Sequence, residues 1–290
     1  MPFRLNSKLI LRNNLKLGSR WWVGLLICLC LFLTFACRKR GTALLEQAQL
    51  AWDNGDYMTA AARYEDFFKD SPPAELAAAA RFKLANIYLY NLKQYEMAIQ
   101  HYIHLIEDFP KSPDVIQARQ RLAESYSAAK KPREAIMEYE NLLQAVPDFP
   151  DKRRIRLSVA DLYYDLNELG QALAEYQKLI VNMQYDELSE RANLRIGGIH
   201  VLRDEFDEAI PAYQIVAAST QDGEVRRFAQ YGLADCFERT FNYDGAVKVL
   251  EGMDPDPKNP EYIQRRINSI RELERQRNLT VPTGAFRSHK

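Results

Sequence analysis

His101, His104 and Glu107 fall at intervals of three residues, and on a helix that spacing lines three potential metal ligands along one side. A surface metal site is the chemistry this pattern would allow. The plainer reading is a partly exposed helix that happens to carry two of the four histidines, and it is the reading adopted, with no metal or other cofactor expected. No other catalytic pattern competes: the chain has no glycine-rich phosphate loop, HExxH, GxSxG or paired CxxC. Cys236 lies in the apolar stretch between Leu233 and Phe237 and reads as a small buried hydrophobe. The chain is therefore read as no enzyme.

Cys37 is a different case. An acid-free stretch carrying Arg4, Lys8, Arg12, Lys16 and Arg20 runs into an uncharged segment from Trp21 to Cys37. That is a positive n-region followed by an apolar h-region, the pattern of an export signal. As a helix, Trp21 to Ala36 would span roughly 24 Å, short of a hydrocarbon core of about 30 Å. The Ala36-Cys37 junction resembles the lipobox of bacterial lipoproteins, which implies removal of residues 1–36 and lipidation of Cys37. Thr34, Phe35 and the Arg38-Lys39-Arg40 run depart from that pattern, and an uncleaved inner-membrane signal anchor is the alternative. Cys28 and Cys30 lie within the apolar run and leave with it if it is cleaved.

The elements that position the remaining side chains are legible as a repeat. Ala60, Ala98, Ala135, Ala172, Ala209 and Ala246 are spaced by 38, 37, 37, 37 and 37 residues. Four positions later come Tyr64, Tyr102, Tyr139, Tyr176 and Tyr213, then Leu250. Twelve or thirteen positions earlier stand Ala48, Ala85, Ala123, Ala160, Gly197 and Ala234. Each unit reads as two amphipathic helices joined by a short polar turn, and the small residues mark where the two helices cross. Twelve glycines and 13 prolines in 290 residues leave little for the turns of many short strands, so the fold is read as all-α. The mature chain, with 34 basic and 39 acidic residues after residue 36, carries about −5 and is no candidate for binding nucleic acid.

This pattern resembles the tetratricopeptide repeat, TPR, over six units from 43 to 261. The resemblance implies a right-handed superhelical solenoid, here closed by a C-terminal capping helix at 262–277 that buries Ile263, Ile267 and Ile270. Residues 37–42 read as the lipidated N-terminus and linker, and 278–290 as a disordered tail. Partner binding is expected on the concave face, lined by first-helix residues: Trp52, Phe82, Asn86, Leu89 and Tyr90, then Gln120, Glu124 and Ser127. Further on come Leu157, Asp161, Tyr164, Arg191, Leu194, Leu202, Tyr231, Asp235 and Arg239. Of these, Trp52, Phe82, Asn86, Tyr90, Tyr164 and Tyr231 are the chosen anchors. Leu45, Phe82 and Gln120 stand where the clamp of chaperone-binding TPRs would need lysine, so that specificity is not expected. With its signal and lipobox, the chain is similar to envelope TPR lipoproteins such as the BamD-like and CpoB-like families. That similarity implies a non-enzymatic periplasmic scaffold, tethered to the periplasmic face of the outer membrane through its lipid and binding other envelope proteins or peptides. A receptor holding a peptide or glycan ligand in its groove is the alternative.

Overall fold

The computed structural model describes residues 40–69, 72, 74–180, 185–254 and 259–280. The signal-like segment, Cys28, Cys30 and Cys37 lie outside these residues. All the described secondary structure is helical: α1 (40–53), α2 (Tyr57–Lys69), α3 (Ala74–Asn86, continued by a π turn at Ile87–Asn91) and α4 (Tyr95–Asp108). There follow α5 (Val115–Ala128), α6 (Pro132–Ala145), α7 (Lys152–Asp165) and α8 (Leu169–Ile180). Then come α9 (Glu187–Leu202), α10 (Phe206–Ser219), α11 (Gly223–Arg239), α12 (Tyr243–Glu251) and α13 (Tyr262–Thr280). The first twelve pair into six hairpins. Two compact bodies divide between Leu142 and Leu143, inside α6.

The six crossing alanines, Ala60 to Ala246, are all fully buried. A larger side chain there would hold the helices apart. In the first body, Tyr64, Phe67, Leu84, Tyr102, Leu105 and Leu122 share one core with the small residues Ala48 and Ala85. In the second, Leu157, Tyr176 and Ile199 form one cluster, and Tyr213, Val216, Leu233 and Cys236 another. A third joins Leu250 and Met253 to Ile263, Ile267 and Ile270 of α13, which runs to Thr280, three residues past the boundary read from sequence.

The turn inside every hairpin holds one residue in the left-handed region: Gly55, Lys93, Lys130, Asn167, Asp204 and Phe241, with φ from 55° to 76°. Five of these turns close as a Schellman motif, in which the amide after the left-handed residue donates five residues back, as from Asp56 to Ala51 and from Lys131 to Tyr126. Hairpin two differs. There the amide of Leu92 donates to Ile87 and that of Gln94 to Tyr88, so the π turn takes up one extra residue. This is why the first repeat interval is 38 and the others 37.

Where the junction between hairpins lacks proline, aspartate starts the next helix. Asp186 accepts from the amide of Ser189 at 2.9 Å, and the Ser189 hydroxyl accepts from the Asp186 amide at 2.8 Å. Asp222 caps α11 through the amides of Glu224 and Val225.

Candidate partner-binding groove

The first helix of each hairpin exposes a stripe of residues beside its crossing position. In the first body this stripe opens a cavity of about 300 Å³ lined by Gln49, Trp52, Tyr64, Lys83, Asn86 and Ile87. Trp52 is 45% exposed, a large apolar surface left in water beside polar neighbours. Lys83 Nζ donates to Gln49 Oε1 at 3.0 Å, and Gln49 Nε2 to Asp53 Oδ1 at 2.9 Å. The hydroxyl of buried Tyr102 donates to Asn86 Oδ1 at 2.7 Å, so Asn86 has its amide N–H groups left for a ligand.

The other chosen anchors have different surroundings. Phe82 is half-buried with its ring edge-on to Tyr102, 6.1 Å between centroids. Leu89 and Leu157 are buried in the core. Tyr90 is 42% exposed, but its hydroxyl donates to Glu124 Oε2 at 2.7 Å and its ring lies under Arg121, which itself pairs with Glu124. Burial and the Glu124 carboxylate both push its phenol well up. Gln120 also donates to Glu124, at 3.3 Å.

In the second body Tyr164 lies under the Arg195 guanidinium, 4.7 Å from its ring centre. Asp161 accepts from the Tyr176 hydroxyl at 2.5 Å and from Arg191 at 2.6 Å. Tyr231 packs edge-on to Tyr262 of the capping helix, and Arg266 from that helix reaches Asp235 and Glu238. Lys83, Gln49 and Arg195 are groove residues that the sequence pattern does not single out. Their signal is a basic or amide residue two places before, or one after, the small crossing residue.

The two histidines of α4 part company. His101 is buried, stacked on Tyr88 at 5.4 Å, its Nε2 3.0 Å from Glu65 Oε1 and its Nδ1 3.5 Å from Arg81. Burial, countered by Glu65, pulls its pKa below the usual value. His104 is exposed and 3.9 Å from Asp108. Among the described residues no three side chains gather as metal ligands. Burial pushes the Cys236 thiol up to about 11, which leaves it protonated and unreactive near neutrality.

The tetratricopeptide repeat model matches residues 45–113, 121–187 and 200–260, the last beginning in the final turn of α9. Among solved structures, a tetratricopeptide repeat protein from Parabacteroides merdae ATCC 43184 is 19% identical over 82% of this chain and 89% of its own, with a TM-score of 0.53. A chain of the Naa15/Naa10 complex bound to HypK-THB is 17% identical over 85% of this chain and 35% of its own, with a TM-score of 0.54. PilW, a widely conserved type IV pilus biogenesis factor, is 18% identical over 83% of this chain, with a TM-score of 0.44. At these identities the likeness is one of fold. No curated protein matches the sequence significantly.

Proposed function

The chain belongs to the tetratricopeptide repeat family, and from that premise we propose a non-enzymatic scaffold, tethered to a bacterial membrane by its N-terminal segment, that binds other envelope proteins. The Trp52 cavity carries this reading. An exposed indole beside Lys83, Gln49 and Asn86 in a concave, largely apolar pocket is the arrangement that dominates binding energy at protein interfaces. The anchor reading rests on the charged-then-apolar run ending at Ala36-Cys37. No helix among the described residues is long and apolar enough to cross a membrane, so within this reading Cys37 or the segment before it does the tethering. The style of repeat and anchor supports a role like that of BamD-like or CpoB-like lipoproteins, on the periplasmic face of the outer membrane. An inner-membrane anchor is the alternative.

Copurification of the full chain from its own membranes tests the role. Stable protein partners that are lost with Trp52→Ala support the scaffold. A small peptide or glycan retained by the pure protein, with no protein partner, overturns it in favour of a ligand receptor.

A further inference from the structure

Glu65, Arg81, Tyr88 and His101 come from α2, α3, the π turn and α4, and they meet around one buried imidazole. Glu65 Oε1 takes both the Tyr88 hydroxyl, at 3.1 Å, and His101 Nε2, at 3.0 Å. A carboxylate oxygen only accepts, so the neutral ring carries its proton on Nε2 and offers a lone pair at Nδ1. Nδ1 faces Arg81 Nη1, 3.5 Å away, a group that only donates. The neutral ring therefore links an acid to a guanidinium, and Tyr88 lies flat on it, 4° from parallel. Arg81 has little else to hold it. Its Nε is buried with no hydrogen-bond partner among the described residues, and its guanidinium lies 4.2 Å above the Phe68 ring.

A second proton on His101 makes Nδ1 a donor aimed at a donor, and the imidazolium and Arg81 then both draw on the Glu65 carboxylate. Asp108, on the next turns of α4, is engaged with Arg81 and with His104, 3.9 Å away. Burial opposes the imidazolium most, Arg81 and His104 add to it, and Glu65 does not make up the difference. What the cluster contributes to the fold is thus complete above about pH 6.5, the ordinary histidine value, and is lost as pH falls through the lower value of the folded chain.

The Trp52 cavity is built on the same turns of helix. Tyr64 lines it and Glu65 is the next residue; Ile87 lines it and Tyr88 is the next residue; Lys83 lines it two places after Arg81. We propose that His101 is a proton-operated latch that sets the shape of the Trp52 cavity. The neutral ring holds α2 to the π turn through Glu65 and Tyr88. Its protonation drives Arg81 off and lets those two cavity walls part. The consequence, which rests on the reading that this cavity holds the protein partner, is release of that partner in acid.

The test is fluorine NMR of the full chain in detergent, labelled with fluorotryptophan and titrated from mildly alkaline to mildly acidic pH, with the Trp52 resonance assigned by Trp52→Phe. That resonance should move with one midpoint, below about pH 6.5 and equal to the midpoint of the His101 ring proton. It should stay still in His101→Gln, which keeps a neutral group between Glu65 and Arg81. Glu65→Gln should shift the midpoint down and Arg81→Gln should shift it up. A Trp52 resonance that does not titrate, or whose midpoint neither charge variant moves, overturns the proposal. If His101→Gln does not fold, the two opposite shifts decide alone. Protein partners held at neutral pH should leave the parent in acid and stay on His101→Gln, and equal loss from both overturns the release. Partners kept by Trp52→Ala overturn the function proposed above and leave the titration as it is, so the two readings fail separately.

Discussion

At the scale of single residues, two kinds of glycine argument pull in opposite directions. Gly197 and Gly232 are required because Tyr213 fills the space a Cβ would take. Gly197→Ala should therefore lower stability by about 1 to 3 kcal/mol through overpacking. Lys130, by contrast, is held at φ 60° where glycine is at ease, so Lys130→Gly should raise stability by about 0.5 to 1 kcal/mol. Thermal melts of both variants check the pair, and shifts of the same sign would refute the geometry. The buried alanines and tyrosines were legible in sequence because their side chains themselves recur at the repeat interval. The left-handed turn residues were not, since hydrogen bonds of the Schellman turn force Lys, Asp and even Phe there as well as glycine. His101 was equally hidden: its spacing from His104 is visible, but its partner Glu65 lies 36 residues away on another helix.

Between residue and whole, the helices owe their placement to crossings and caps. Ala172 is fully buried where α7 and α8 cross, and Ala172→Leu should cost about 1 to 3 kcal/mol in a denaturant melt. Arg153 of α7 ties two neighbours together, donating to the last-turn carbonyl of Leu179 at 3.2 Å and pairing with Asp186, the cap of α9. That pairing, with the Ser189 amide, holds the Asp186 carboxyl down to about 2, below its unfolded value near 3.9. A depressed carboxylate pKa stabilises the fold above about pH 4, and the contribution is lost as pH falls from there toward 2. Asp186→Ala should cost about 1 to 2 kcal/mol at pH 7 and should flatten the acid limb of a stability-against-pH curve. A loss at pH 7 that persists undiminished at pH 2 would contradict the assignment. Hairpin boundaries were legible where proline marks them. The junction at Asp186 carries no proline, and its capping box shows only once Ser189 is seen to fold back on it. The π turn in hairpin two was present in sequence as a thirteen-residue interval, but the interval alone does not say which turn of helix absorbs it.

For the molecule as a whole, the family and the six hairpins follow from periodicity, whereas partner choice depends on surface side chains that no repeat constrains. Tyr90 illustrates the difference: its place on the groove stripe was readable, its commitment to Glu124 and Arg121 was not. The proposed anchor makes its own prediction. Cys37→Ala should release the chain from membranes or strand it unprocessed, and intact residues 1–36 found by mass spectrometry of membrane-bound protein would favour the signal anchor instead. The central claim is that the first-helix groove, through Trp52, binds the protein partner. Trp52 makes its contacts at the cavity wall and is half in water, so its removal should spare the fold. The most direct measurement is the affinity of the copurified partner for the parent chain and for Trp52→Ala by calorimetry, with a melt of each. The account predicts a loss of about 2 kcal/mol in binding, roughly thirtyfold, at an unchanged melting temperature. Unchanged affinity in a folded Trp52→Ala chain would contradict it.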